Sequence, residues 1–167
     1  MAVADSSFMG RVQITLCSVG ILHGESTAEI DAPLQRVWAL VADVERGPDW
    51  QGGMRSLVGL ERDAEDRVLL ADTQTGTQRR VVHAQVRFTY SPPTRLSWKQ
   101  THGDIKSVSG EWELEDVGAG RTRATYRLTV DPGHVGMMLR GPLLDLLRAR
   151  LVGARANELK AAIEGAT

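Results

Sequence analysis

The sequence predicts an α+β fold: a curved antiparallel sheet of about six to seven strands gripping one long C-terminal helix, with two short helices after the first strand. Three observations predict it. From Pro142 to about Glu164 no later proline interrupts the chain, and Leu143, Leu146, Leu147, Leu151 and Ala154 fall on one helical stripe, while Asp145, Arg148 and Arg155 fall elsewhere. Most of residues 54–131 alternates apolar and polar side chains with the period of a strand. A short strand before Pro33 gives way to a helix that the proline opens. At about 1.5 Å rise per residue the C-terminal helix is roughly 33 Å long. An oily stripe of that length needs a broad apolar partner, and the sheet supplies it.

Taken in order, residues 1–23 carry no clear pattern and read as an edge strand or a loosely held tail, leaving 24–167 as the domain proper. Glu25 to Asp31 is a strand. The helix from Pro33 carries Val37, Leu40, Val41 and Val44 on one face, widened by Trp38. A break near Asp43 and a second short turn of helix follow, ending at Gly52-Gly53. Strands run from Met54 to Arg62, Arg67 to Thr75 and Thr77 to Ser91, the last alternating Val82, Ala84, Val86, Phe88 and Tyr90 against His83, Gln85 and Arg87. Arg95 to Thr101 sets Leu96, Trp98 and Gln100 on one side. Residues 105–116 set Gly110, Trp112 and Leu114 on one side, and Arg121 to Val130 does the same with Ala124, Tyr126, Leu128 and Val130. Gly118-Ala-Gly120 is a hairpin turn, and Asp131-Pro-Gly133 ends the sheet.

Composition excludes several classes. The 167 residues hold 20 basic and 21 acidic side chains, so no general charge favours nucleic acid or an acidic membrane. Cys17 is alone, which rules out an internal disulfide and a cysteine zinc site, and a reducing cytoplasm is the simplest compartment. The uncharged run from Val12 to Leu22 is too short to span a bilayer, so no stable membrane insertion is expected. His23, His83, His102 and His134 lack metal-ligand spacing, and no Gly-rich phosphate loop or serine elbow appears. No metal and no cofactor are expected. The oligomeric state is left open.

Ile30-Asp-Ala-Pro33 with Val37-Trp38, Val41 to Arg46 leading to Pro48-Asp-Trp50, and Tyr90-Ser-Pro-Pro-Thr-Arg-Leu-Ser-Trp98 form a series of motifs. Gly103-Asp104, Gly110-Glu-Trp112-Glu-Leu114 and Thr122-Arg-Ala-Thr-Tyr126 continue it. Over roughly residues 25–164 this series resembles the START-related helix-grip superfamily, in particular its small bacterial polyketide cyclase/dehydrase-like and ubiquinone-binding-protein-like members. The resemblance implies a hydrophobic cavity between sheet and C-terminal helix, used for lipids, quinones or polyketide-like rings. It implies either cyclase/dehydrase activity or a non-catalytic carrier. A partner-binding module, with a filled core and an exposed apolar patch, is the remaining alternative.

Within that frame Trp50, Trp98, Gln100, Trp112, Tyr126, Leu143, Leu147 and Arg150 are the expected ligand-binding residues. Flat aromatic faces suit ring compounds. Polar residues in phase with apolar ones must find partners, because an unpaired buried polar group costs about 1–3 kcal/mol. Gln100 and His102 share the phase of Trp98, Asp72 and Gln74 that of Val68 and Leu70, and Arg150 sits inside the helical stripe. Arg150 pairs with Asp72 or Glu25, reaches the cavity mouth, or holds a ligand oxygen. For acid–base chemistry the candidates are His102, Asp72 and Tyr126, while His83 is out of phase and faces solvent.

Overall fold

A computed structural model describes residues 21–77, 80–133 and 152–165. The chain runs β1 (Leu22–Ile30), α1 (Leu34–Ala42), a 3₁₀ turn (Val44–Arg46) and α2 (Gly47–Trp50). Then come β2 (Met54–Arg62), β3 (Val68–Thr77), β4 (Arg80–Ser91), β5 (Arg95–Gly103), β6 (Ser107–Gly118), β7 (Arg121–Asp131) and α3 (Arg155–Glu164). The seven strands form one antiparallel sheet in the order β1-β7-β6-β5-β4-β3-β2. The sheet is curved, and its concave face carries the core: Ile30, Leu57, Ala71, Val86, Leu96, Trp112, Leu114, Ala124 and Leu128 pack with Val37 and Val41 of α1 and Leu159 and Ile163 of α3.

β1 begins at Leu22, three residues before the strand expected from Glu25. Pro33 takes the capping position of α1, so Leu34 is its first helical residue, one later than the proline rule implies. The helix carries buried Val37 and Val41 on the expected face.

Two pairing irregularities turn side chains away from the face that simple alternation assigns. In β4–β5, Val86 pairs with Gln100 while the neighbouring Gln85 pairs with His102, so β5 holds one extra residue there. Gln100 stays inward and His102 is turned out and exposed. In β2–β3 the register slips near Gly59, Glu61 and Arg62; Ala71 and Thr73 take the inner face, and Asp72 and Gln74 are exposed. A bulge inserts one residue without marking itself in the hydrophobic pattern, and one residue inverts every following side chain.

The C-terminal helix differs from the expected phase. Val152 and Gly153 form a wider, π-type turn, and the buried residues after it are Val152, Arg155, Ala156, Leu159 and Ile163. The stripe extrapolated through Leu151 and Ala154 is displaced by one position, as an inserted π turn does. Arg155, expected off the apolar stripe, is buried. Gly24 of β1 makes room for this turn, since a Cβ there would stand 2.7 Å from Val152 Cγ1.

Helix α3 is fastened to β1 and α1 by polar contacts as well as by Leu159. Lys160 Nζ donates to Glu29 O at 2.7 Å, Ala156 N to Ser26 Oγ at 3.3 Å, and Arg36 Nη2 to Ile163 O at 3.1 Å. Asp31 N donates to Glu164 Oε1 at 2.9 Å. These bonds satisfy buried Ser26 and end groups of the helix that would otherwise lack partners.

The outer face of the sheet is a ladder of opposite charges. Arg127 donates to Glu25, Glu111 and Glu113 at 2.6, 2.8 and 2.7 Å, and Arg123 to Glu29 and Glu115 at 3.1 and 2.9 Å. The hydrogen bond from Arg127 holds the Glu113 carboxyl below its ordinary value of 4.5, and Lys106 holds Asp131 below 3.8. Their folded-state proton affinity is lower than the unfolded-state one. Their stabilisation is therefore complete above those ordinary values and is lost as the pH falls below them. The melting temperature is expected to fall as the buffer is taken from neutral to about pH 3, and a flat profile over that range would refute the linkage.

Candidate functional site

Four aromatic rings from four elements meet in series on the inner side of the sheet. Trp112 of β6 and Tyr126 of β7 are register partners, and their ring centroids stand 4.9 Å apart. Trp50, the last residue of α2, closes on Trp112 at 6.1 Å. Trp98 of β5 approaches Tyr126 at 5.6 Å, although a whole strand separates them. Gly110 permits this reach. It pairs with Trp98 across β5–β6, and a Cβ on it would collide with the indole at Cζ2 and stand 2.8 Å from Cε2. The indole therefore lies across β6 above the glycine. Gly110→Ala is expected to cost about 1–3 kcal/mol through overpacking and to shift the Trp98 emission. A variant of wild-type stability and spectrum would refute this placement.

Trp112 and Tyr126 are core, at 2% and 4% exposure, whereas Trp50 and Trp98 at the two ends are only partly buried. The inner two rings are therefore a floor, and the outer two are the surfaces a ligand can reach.

Arg155 completes the site from α3. Its side chain is 3% exposed, its guanidinium carbon stands 5.8 Å from the Tyr126 ring centroid, and Nη1 meets Glu158 Oε2 at 2.7 Å. Nη2 donates to Gly52 O at 3.3 Å. The Glu158 ion pair supplies the compensation a buried guanidinium requires. Burial raises the Tyr126 phenol, while the charge of Arg155 and a hydrogen bond from it pull the other way, so Tyr126 keeps its proton at neutral pH.

Beside these rings a groove of about 420 Å³ opens between α2 and α3. Trp50 lies in it with Leu40, Ala161 and Ala162, and Arg46, Asp49 and Glu158 add charge. This volume lies within the range of small-molecule pockets. A larger depression of about 710 Å³ lies on the outer face among Arg95, Arg123, Arg127, Glu113 and Glu115. Arg123 and Arg127 are engaged there by glutamates, and the surface has little to offer an apolar ring.

Of the expected ligand residues, Trp50, Trp98, Trp112 and Tyr126 are brought together, and Gln100 lies on the same inner face. Gln100 Nε2 donates to Ile105 O at 2.8 Å, while its buried Oε1 has no partner among the described residues. Leu143, Leu147 and Arg150 lie outside the described residues. Asp72 and His102, whose phase along the chain matches inward neighbours, are both exposed, because the register irregularities described above turn them to the outer face. Asp72 accepts from Gln85 Nε2 at 3.3 Å, and Glu25 accepts from Arg127 Nε at 2.6 Å. His83 is exposed, as its phase implies.

Sequence reasoning missed Arg155, Glu158 and Gly52. The one local signal is Arg155 with Glu158 three residues on, a spacing that pairs charges within a helix. Among the described residues no group of His, Cys, Asp and Glu is suited to a metal ion, and no helix is long and apolar enough to cross a membrane.

Comparison with known proteins agrees with this architecture. A START superfamily protein from Mycobacterium smegmatis superposes with a TM-score of 0.74 at 18% identity, covering 87% of this chain and 99% of that one. The Zhui aromatase/cyclase of a Streptomyces species gives 0.66 at 20% identity, covering 86% and 94%. At such identities the likeness shows the fold. In sequence, the chain is 30% identical over 152 residues to the granaticin polyketide synthase bifunctional cyclase/dehydratase of Streptomyces violaceoruber. That match takes in 86% of this chain and 45% of the relative, so the chain spans about half of the relative's length. The family described as polyketide cyclase / dehydrase and lipid transport matches residues 30–154. With three quarters of its length inside that match and the sheet-and-helix architecture it carries, the chain belongs to the polyketide cyclase / dehydrase and lipid transport family.

Proposed function

We propose that this protein binds a hydrophobic, ring-containing small molecule of polyketide-like character between the sheet and the C-terminal helix. The observation that carries the reading is the series Trp50–Trp112–Tyr126–Trp98, whose inner pair is fixed in the core and whose Trp50 end lies in the α2–α3 groove. Such a series presents flat, rigid, weakly polar faces that lose little conformational entropy on binding. A straight-chain lipid gains less from them than a ring does. The relation to a bifunctional cyclase/dehydratase supports the same ligand class.

Binding is favoured over turnover. Of the three acid–base candidates only Tyr126 lies inside, and it holds its proton. The Glu158 carboxylate on the same side is already bound to Arg155, so the group orients a ligand oxygen better than it moves a proton.

Native mass spectrometry of freshly purified protein, followed by solvent extraction, tests the reading. A discrete adduct of a few hundred daltons whose extract absorbs as an aromatic ring is expected. A bare chain that takes up no quinone or polyphenol would overturn the proposal and favour a partner-binding role. Product formed from the extracted ligand would show turnover.

A further inference from the structure

The sheet ends at β2, which pairs with β3 along one side and has no described strand along the other. Val58 and Leu60, two positions apart on this strand, are large and apolar yet 56% and 48% exposed. Leu57 is buried in the core, so Val58 turns to the outer face. The register with β3 runs without a shift from Leu57 to Gly59. Gly59 gives its amide to Glu45 Oε1 at 3.1 Å, so its backbone turns to the open side of the strand. Alternation along an antiparallel strand turns the backbone of Leu57 the same way. Leu57 and Gly59 therefore present their amides and carbonyls to the open edge, with Val58 midway between them. An exposed apolar edge of this kind is a template for another strand.

We propose that β2 pairs antiparallel with β2 of a second copy of this chain, about a two-fold axis at Val58, so that the two sheets become one. The strand is its own complement. With the axis at Val58, Leu57 opposes the partner's Gly59 and Gly59 opposes the partner's Leu57, and each such pair exchanges two backbone hydrogen bonds. Val58 meets the partner's Val58 on the outer face, with Leu60 of each copy diagonal to it. Charge agrees with the same arrangement. Arg55 is exposed and has no ion-pair partner among the described residues. Antiparallel pairing carries it to the far end of the other strand, where the partner's Glu61 stands half exposed. An isologous contact makes every one of these pairings twice and closes at two copies. Glu45, bound also to Arg62 at 2.7 Å, occupies the Gly59 amide in the single chain and has to release it. So short an edge buries much less than the roughly 800 Å² per partner of a stable interface, so the dimer is weak, with a Kd of about 10–100 µM.

Sedimentation velocity of the full chain, at concentrations from about 5 to about 500 µM, tests the pairing. Wild type is expected to pass from monomer to dimer across that range. Val58→Lys changes an exposed side chain and sets two like charges across the axis, and it is expected to stay monomeric throughout. Glu45→Ala frees the Gly59 amide and is expected to tighten the dimer by about 3- to 10-fold. Arg55→Glu is expected to weaken it, and Glu61→Arg added to Arg55→Glu to restore it. A wild type that remains monomeric at the highest concentration overturns the proposal and leaves the edge to an extended segment of a different protein. A dimer that survives Val58→Lys is built on another surface and overturns it as well. Should Val58→Lys not fold, Arg55→Glu and its rescue by Glu61→Arg decide the matter, since a dimer indifferent to both does not use this edge.

Discussion

Trp112→Ala is expected to destabilise the fold by about 3–5 kcal/mol, the range for truncating a large aromatic ring in a packed core. The ring is 2% exposed, its register partners Leu96 and Tyr126 are 2% and 4% exposed, and it lies between Trp50 and Tyr126 in the aromatic series. Removing it takes a large apolar surface out of the core and leaves a cavity that rigid strands cannot close. Urea unfolding measures the effect as a fall in midpoint at unchanged slope. Trp112→Phe refills part of the space and should recover a substantial share of the loss. An unchanged midpoint for the alanine variant would refute the inward placement of Trp112 and, with it, the order of the ring series.

Leu159→Ala is expected to cost about 2–5 kcal/mol. Leu159 is fully buried, at 0% exposure, and sits on the face of α3 with Ala156 and Ile163. The contact is made where the helix crosses β1 and β7, so truncation loosens the helix while strand pairing survives. Amide exchange in α3 is therefore expected to rise more than in β6 and β7, and ring-ligand affinity to fall with it. The polar fastenings at Lys160, Glu164 and Arg36 then carry more of the attachment, and partly exposed bonds are individually weak. Equal loosening of helix and sheet would mean that α3 does not open as a separate unit.

Trp98, Trp112 and Tyr126 were legible as a common face because each strand is read by its own period of two, and two of the strands carrying them pair in ordinary register. The cross-strand reach of Trp98 was not. It depends on the missing Cβ of Gly110 on a neighbouring strand, which no window along a single strand reveals. His102 and Asp72 show the same limit. Their phases are correct along the chain, yet the bulges that expose them are properties of strand pairs. Arg155 was misplaced because the turn at Val152–Gly153 rephases the helix, and Gly24 on the opposite strand accommodates that turn through its missing Cβ.

By itself the sequence determined the fold class, the strand and helix order and the aromatic face, since these follow from local periodicity, proline placement and short-range sterics, whereas Gly76 and Thr77, expected at a turn and at the start of β4, end β3 instead. Tertiary structure alone decided which polar groups are buried beside the rings. Only the pairing of distant strands and the close approach of α3 to β1 and β7 settle register, helix phase and desolvation together. A guanidinium can stand beneath a helix there only because Glu158 and the Gly52 carbonyl are present to meet it.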